Sequence, residues 1–480
     1  MWLDELSRRE GSAIDLAGVP GTEWDAVAAL GFDVVWLMGV WERSPAGIAM
    51  ALENTGLIES FRRALPDFQT KDVVGSPYCI RDYTVDAHLG GPSGLAAARA
   101  ALAERDVGLL LDFVPNHVAP DHPWTGAHPE YFVRGSEEDL ARDPASFVRV
   151  GDGVVANGRD PYFAAWPDVV QLNAFSPDLR AAVTETLSSI ASQCDGVRCD
   201  MAMLMMNDTF ERTWGERGGS RPDADYWPTV ISAVKSAHPG FVFMAEAYWD
   251  LEWALQQQGF DYCYDKRLYD RLVHDGAEAV HGHLNADLGY QQRLVRFIEN
   301  HDEPRAAATF PGEKARAAAV TTLGQTGARI VHEGQLEGRT VQLPVFLARR
   351  PHEQPDLDLY EFYDQLLDAL RDRVFRDGEW QLGERRGWDG NDTWRNLVVW
   401  GWRGGESRKL VVVNLGDSPA SGHVLLAWDD FRGREWQLDD TASGERYERS
   451  GDDLRDGLYV ALDSWSWHLF DVTPLDSPED

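Results

Sequence analysis

The run VGLLLDFVPNH, residues 107–117, decides the fold. It is short, nearly all apolar, and closed by a proline. It ends in polar groups: Asp112, Asn116 and His117. A strand with apolar residues on both faces is covered on both sides, as strands of parallel sheets are. Similar runs lie on either side of it: FDVVWLM (32–38), GVRCD (196–200), FVFMAEAYW (241–249), FDYCYD (260–265), RFIENHD (296–302) and ARIVHEG (328–334). Helical segments fall between them. Ser176-Pro177-Asp178 is a helix start, with a cap followed by proline in the first turn. Leu179, Val183, Leu187 and Ile190 then share one face. Strand–helix alternation repeated about eight times implies a closed (β/α)8 barrel rather than an open sheet.

Two regions break this rhythm. Residues 118–173 have little helical periodicity and several Gly, Pro and Asp, as expected of a long excursion after the third strand. From about residue 378 the runs become short and β-like: NLVVWGW (396–402), KLVVVNL (409–415), HVLLAW (423–428), EWQL (435–438), LYVAL (458–462) and HLFDV (468–472). Gly/Asp turns separate them, the pattern of an antiparallel sandwich. The expected division is a barrel of 1–117 and 174–377, an inserted domain of 118–173 and a C-terminal sandwich of 378–480. The final TPLDSPED is expected to fray.

Composition removes several classes of function. The 480 residues are 44% hydrophobic and 11% aromatic, enough for a large core. The net charge is −34, from 45 basic and 79 acidic residues. Such a surface repels phosphate backbones and anionic lipid, so neither nucleic acid nor membrane is an expected partner. Few of the basic residues are Lys, a bias that fits a salt-rich cytoplasm or a solubility device. The four Cys (79, 194, 199, 263) have no metal-ligand spacing and are too few for a disulfide framework, so reduced thiols are expected. The start, MWLDELSRRE, has no basic segment followed by an apolar run, and no apolar stretch is long enough to span a bilayer. A cytoplasmic location is expected.

In a parallel barrel, chemistry sits at the C-terminal ends of the strands. Here those ends carry Asp112, Asn116 and His117, then Arg198 and Asp200, then Glu246, then Asn300, His301, Asp302 and Arg305. One strand-end Asp alone would more often be a helix cap or a structural ion pair. Four such clusters together point to catalysis. Retaining glycoside hydrolysis needs one carboxylate as nucleophile and one carboxyl group as proton donor, ~5–5.5 Å apart. Arg198 and Asp200 are two apart on a strand and share a face, so the cation holds Asp200 ionised. Glu246 follows the apolar FVFMA, and apolar surroundings favour a protonated acid. His side chains and a third acid can bind sugar hydroxyls and offset oxocarbenium charge. Trp41, Trp124, Trp166, Tyr248 and Trp249 fall near strand-end loops and could stack on sugars, or simply pack. Trp465 and Trp467 are expected to pack within the sandwich, and Cys199 to face away from the site.

DFVPNH, GVRCD, MAEAYW and ENHD, in this order, resemble the four signature regions of the α-amylase superfamily, glycoside hydrolase family 13. The resemblance runs from the N-terminus to about residue 340. It implies that Asp200 is the nucleophile, Glu246 the acid/base and Asp302 the transition-state stabiliser. It places His117, Arg198 and His301 around the reacting glucose, Tyr78 of GSPYCIRDY beneath it, and Arg305 nearby, as in many glucosidases and transglucosidases. The implied activity is retaining cleavage of α-glucosidic bonds in short α-glucans or α-linked disaccharides. The same intermediate passed to a sugar acceptor gives a transglucosidase or isomerase; a non-catalytic glycan-binding barrel is the remaining class. No cofactor is required, no metal ligands are assigned, and a structural calcium has no sequence support. The chain departs from the pattern at Met203 and Leu204, where long-chain amylases carry Lys-His. It departs again at Cys79, where α-glucosidases carry Asp, and at Gln171, where Asp is common.

Overall fold

The computed structural model describes residues 1–475. Residues 476–480, the end of the expected 378–480 sandwich and of TPLDSPED, lie outside the described residues. Thr473 and Pro474 belong to the last strand, Trp467–Pro474. The chain forms two compact units. One comprises Met1–Tyr264 with Leu343–His352; the other comprises Asp265–Gln342 and the chain from Glu353 onward.

The first unit contains five parallel strands. They are β1 (Val34–Leu37), β2 (Gly108–Phe113), β3 (Gly196–Cys199), β4 (Val242–Ala245) and β5 (Tyr262–Tyr264), hydrogen-bonded in that order. The strand of the opening run, β2, therefore pairs directly with β1 and β3. Its Leu109, Leu111 and Phe113 are buried, as continuous apolar strands require. Helix α1 (Pro177–Ala191) begins as its sequence predicts: the Ser176 side chain accepts from the Leu179 N–H, and Pro177 occupies the first turn. Its Leu179, Val183, Leu187 and Ile190 are buried against the sheet's core.

The excursion after β2 combines short strands with short helices at Trp124–Ala127, Pro129–Tyr131 and Glu137–Arg142. His117–Val118, Trp166–Gln171, Gly153–Gly158 and Arg134–Gly135 form one antiparallel sheet in that order, and Phe147–Val150 pairs with Gly153–Gly158. Its apolar face, including Phe132, Val154, Val170 and Leu172, joins the core of the unit.

The second unit holds two further parallel strands, β6 (Leu294–Arg296) and β7 (Ala328–Arg329). The run RFIENHD was expected to be strand to its end, but strand stops at Arg296. Further on, Asn300 Oδ1 accepts from the N–H groups of Asp302 and Glu303, both at 2.9 Å, and this side-chain turn replaces a ladder over the end of the run. Beyond residue 378 lie a six-stranded and a three-stranded antiparallel sheet. They enclose Leu397, Val399, Val412, Trp436, Val460 and Phe470. The indoles of Trp400 and Trp402 both donate to the Gly324 carbonyl at 2.9 Å. A Cβ at Gly324 would meet the Trp400 ring at 2.8 Å, so this contact requires glycine. Trp467 meets Phe362 edge-on, and Lys314 lies over Trp465.

Burial makes two histidines of the first unit pH-sensitive. His117 and His122 are each 5% exposed, and desolvation pulls both down from 6.5 to about 4, with Asp168 partly offsetting this at His117 and Asp82 and Asp121 at His122. The His122 Nδ1 accepts from the Trp124 N–H at 3.0 Å, as a neutral ring does. Above pH 6.5 neither the folded nor the unfolded chain protonates them. As pH falls from 6.5 to about 4, the unfolded chain binds protons that the folded chain refuses, so stability is lost. Urea unfolding of a His117→Gln/His122→Gln variant is expected to show roughly 2–5 kcal/mol less loss between pH 7 and pH 4.5 than the parent. An equal loss in both proteins would rule the histidines out.

Candidate active site

The register of β2, β3 and β4 assembles the site. Arg198 is level with Asp112 on one side and Met244 on the other. Cys199 is level with Ala245, and the Glu246 N–H donates to the Cys199 carbonyl at 3.0 Å. Asp200 and Glu246 are therefore the next residues out from adjacent parallel strands, which lie ~4.8 Å apart. Side-chain alternation sends Cys199 the other way, and its thiol is fully buried.

One guanidinium joins the acids. Arg198 Nη1 is 2.8 Å from Asp200 Oδ1 and 3.4 Å from Asp112 Oδ1, and Nη2 is 2.8 Å from Glu246 Oε2. Arg198 has no solvent exposure, whereas Asp200 and Glu246 retain 6% and 3%, so both acids reach solvent and the arginine does not. Desolvation opposes its charge, but Glu246, followed by Tyr78, Tyr264 and Asp200, outweighs it and holds the guanidinium well above its ordinary pKa. The rings of Tyr78, Trp36 and Tyr264 surround it, with centroids 5.1, 5.4 and 5.9 Å from Cζ. Trp36 Nε1 also donates to Asp112 Oδ2 at 3.2 Å, and Trp41 Nε1 to the Asp112 carbonyl at 2.7 Å. Trp41 is thus a packed support, 1% exposed.

Glu246 has a more polar setting than FVFMA suggests. Besides Arg198, the Met201 N–H donates to Oε2 at 2.7 Å and the Tyr248 hydroxyl to Oε1 at 2.8 Å. Met201 adopts a left-handed φ of 41°, a strained conformation for a side chain with a Cβ. The strain is held from both sides: the Ala202 N–H donates to the Glu246 carbonyl at 3.1 Å, and Trp227 Nε1 to the Ala202 carbonyl at 2.7 Å. Tyr248 was legible only as an aromatic near the rim; its position two residues past Glu246 was the available signal. Trp249 and Asp250 follow with φ of 64° and 60°, and Trp249 meets Tyr162 of the inserted segment edge-on at 4.8 Å.

The inserted sheet is anchored beside these acids. The His117 ring packs against Trp166 at 5.2 Å. Gln171 Nε2 donates to Asn116 Oδ1, the Asn116 carbonyl and the Leu172 carbonyl, each at 2.9 Å. One neutral amide nitrogen thus shares its two hydrogens among three oxygens of this joint. Cys79 packs with Ala119 and Val169, and its thiol lies 3.1 Å from the Asp168 carbonyl.

The second unit holds the other expected residues. His301 Nε2 is 3.0 Å from Asp302 Oδ2; the His301 side chain is 4% exposed and the Asp302 carboxylate 44%. Arg305 is engaged by its surroundings: Nη1 lies 2.9 Å from His332 Nδ1 and 3.2 Å from Glu299 Oε1, and Nη2 donates to the Glu333 carbonyl at 3.0 Å. Glu299, fully buried, also accepts from the Ala306 N–H at 2.7 Å. It lies in RFIENHD and went unnoticed beside the more conspicuous His-Asp pair.

Comparison with known proteins accounts for this arrangement. The alpha-amylase catalytic-domain family matches residues 8–399. Alpha-amylase MalA of Haloarcula japonica is 25% identical over 62% of this chain. The alpha-1,4-glucan:maltose-1-phosphate maltosyltransferase of Bifidobacterium longum is 26% identical over 61%. The aligned parts span 44% and 35% of those two proteins' own lengths. Among solved structures, maltogenic alpha-amylase AmyB of Thermotoga neapolitana superposes with a TM-score of 0.68 at 19% identity, covering 95% of this chain and 94% of that one. An alpha-amylase of Lactobacillus plantarum gives 0.65 at 20% identity, with the same coverage. The shared fold is a (β/α)8 barrel followed by antiparallel sheet. With its acids at the strand ends and its family match over most of its length, the chain belongs to the alpha-amylase catalytic-domain family.

Proposed function

We propose that this chain is a retaining glycoside hydrolase acting on α-glucosidic bonds in short α-glucans or α-linked disaccharides. The observation that carries the reading is the Arg198 bridge, which sets Asp200 and Glu246 side by side. Asp200 attacks the anomeric carbon while protonated Glu246 gives its proton to the leaving oxygen. Glu246, now ionised, takes a proton from water, whose oxygen displaces Asp200 with net retention. Asp302 offsets the oxocarbenium charge. Tyr78, His117, His301 and Arg305 hold the sugar, while Arg198, which has no exposed surface, acts through Asp200 and Glu246. We assign the barrel to 1–117 and 174–377, the inserted domain to 118–173 and the sandwich to 378–480. Four cysteines present as buried thiols support a cytoplasmic enzyme.

Transfer to a sugar acceptor is the second reading, favoured by the several maltosyltransferases among the relatives. Incubation with an α-glucoside donor, with and without added sugar acceptor, separates the two. Hydrolysis predicts reducing sugar equal to the bonds broken in both cases. A product longer than the donor, formed at the expense of free sugar, would establish transfer instead.

Asp200→Asn keeps an acceptor for Arg198 and removes the nucleophile. It is expected to stay folded, with a melting temperature lowered by roughly a few degrees because Arg198 keeps a hydrogen-bond acceptor but loses a charged partner, and to lose roughly 10³–10⁴-fold in kcat. Parental turnover in a folded variant would sink the assignment. Tyr248→Phe removes one hydrogen bond from Glu246 without touching substrate. Turnover is expected to drop roughly tenfold in kcat, with KM little changed, the worth of one bond to a charged group. A KM effect at constant kcat would instead mark Tyr248 as a sugar contact.

A further inference from the structure

The three-stranded sheet of the C-terminal region displays aromatic rings that its own packing does not use. Its strands are Glu384–Arg386, Ala420–Leu425 and Leu458–Leu462, with Ala420–Leu425 in the middle. Ala420, Val424, Leu458, Val460 and Leu462 are buried in the sandwich core. The opposite face presents a row: Arg386 is level with His423, and His423 with Tyr459. Trp388 joins them two residues past Arg386. The Trp388 and Tyr459 centroids are 6.2 Å apart, and His423 lies 6.0 and 5.9 Å from each. Trp388 is 48% exposed and Tyr459 55%.

The turn that carries Trp388 is fastened down. The Asn391 N–H donates to the Trp388 carbonyl at 2.9 Å, and Gly390 between them takes φ 83°, as the third position of such a turn requires. Asn391 Nδ2 donates to the Ser421 carbonyl at 2.8 Å, and the Ser421 N–H donates to Thr393 Oγ1 at 3.0 Å. A flexible loop would fold its indole onto the protein. This one holds the ring in water, where adjoining exposed aromatics mark a binding surface.

We infer that Trp388, His423 and Tyr459 form a second carbohydrate-binding site that takes the outer part of an α-glucan chain. The inference rests on the proposed glucan activity for its choice of polymer. Aromatic faces stack on the apolar faces of sugar rings, and the imidazole between them can exchange hydrogen bonds with hydroxyls. The Trp388 and Tyr459 planes are inclined by 35°, which suits a chain that bends between successive sugars rather than a flat ribbon. Charge narrows the occupant further. At −34 the chain repels anionic partners and copies of itself, whereas a neutral polyol carries no such penalty.

The test is electrophoresis in native gels cast with or without glycogen, using the full chain in an Asp200→Asn background so that the polymer survives. Glycogen is expected to retard this protein, and added Trp388→Ala and Tyr459→Ala changes to weaken the retardation at least fivefold. In the parent background the two aromatic changes should leave kcat on a short soluble α-glucoside within twofold. Equal retardation with and without the aromatic pair would overturn the proposal. So would equal retardation by a soluble β-glucan, or a dimer in sedimentation that the two changes dissolve. Turnover surviving in Asp200→Asn would defeat the catalytic reading alone, because retardation is scored on a separate gel and against a separate pair of residues.

Discussion

The structure depends on a single buried cation. Arg198 is placed by the register of three parallel strands where three carboxyl groups converge, and it has no contact with water. Desolvating a guanidinium costs several kcal/mol, which only close and well-aimed partners offset. Asp200 and Glu246 are such partners, and the rings of Tyr78, Trp36 and Tyr264 cover the remaining faces. Even with Glu246 protonated, as the proposed reaction begins, the carboxylates of Asp112 and Asp200 outnumber the one cation. That excess is what a site needs if positive charge is to develop on a sugar held in front of it. Stability and chemistry thus make opposite demands on the same residues, and the arginine reconciles them.

Strain beside the site is organised around the same acids. The left-handed turn at Met201 aims a backbone N–H at Glu246, and the Trp227 indole and the Glu246 backbone hold the turn in place. An N–H on a strand end is more exactly placed than a long side chain, because it has no rotamers to lose. The strain is local and is supported by the core helix that carries Trp227, at Tyr226–Ala237.

Much of this could be read in the residue order. Apolar runs that end in Asp, Glu, Arg and His were visible as strands with a chemical rim, because parallel strands must be apolar along their length and can be polar only where they emerge. The alternation of period two put Arg198 and Asp200 on one face and Cys199 on the other. What escaped notice lay in groups whose role depends on a distant partner. Nothing near Glu246 in the chain announces the Met201 N–H, and nothing near Trp36 announces Asp112. The strand expected through residue 302 ends at Arg296, and the last residues of that run form a turn on the Asn300 side chain instead. Glu299 was overlooked since its partners, Arg305 and His332, come from different segments of the second unit.

Gln171 shows how such a distant partner changes a property of the whole. Its amide closes the joint between the end of β2 and the inserted sheet by reaching Asn116 and Leu172 through neutral hydrogen bonds. The groups that meet there are neutral amides and carbonyls, so neither added salt nor a carboxylate titration acts on those bonds directly.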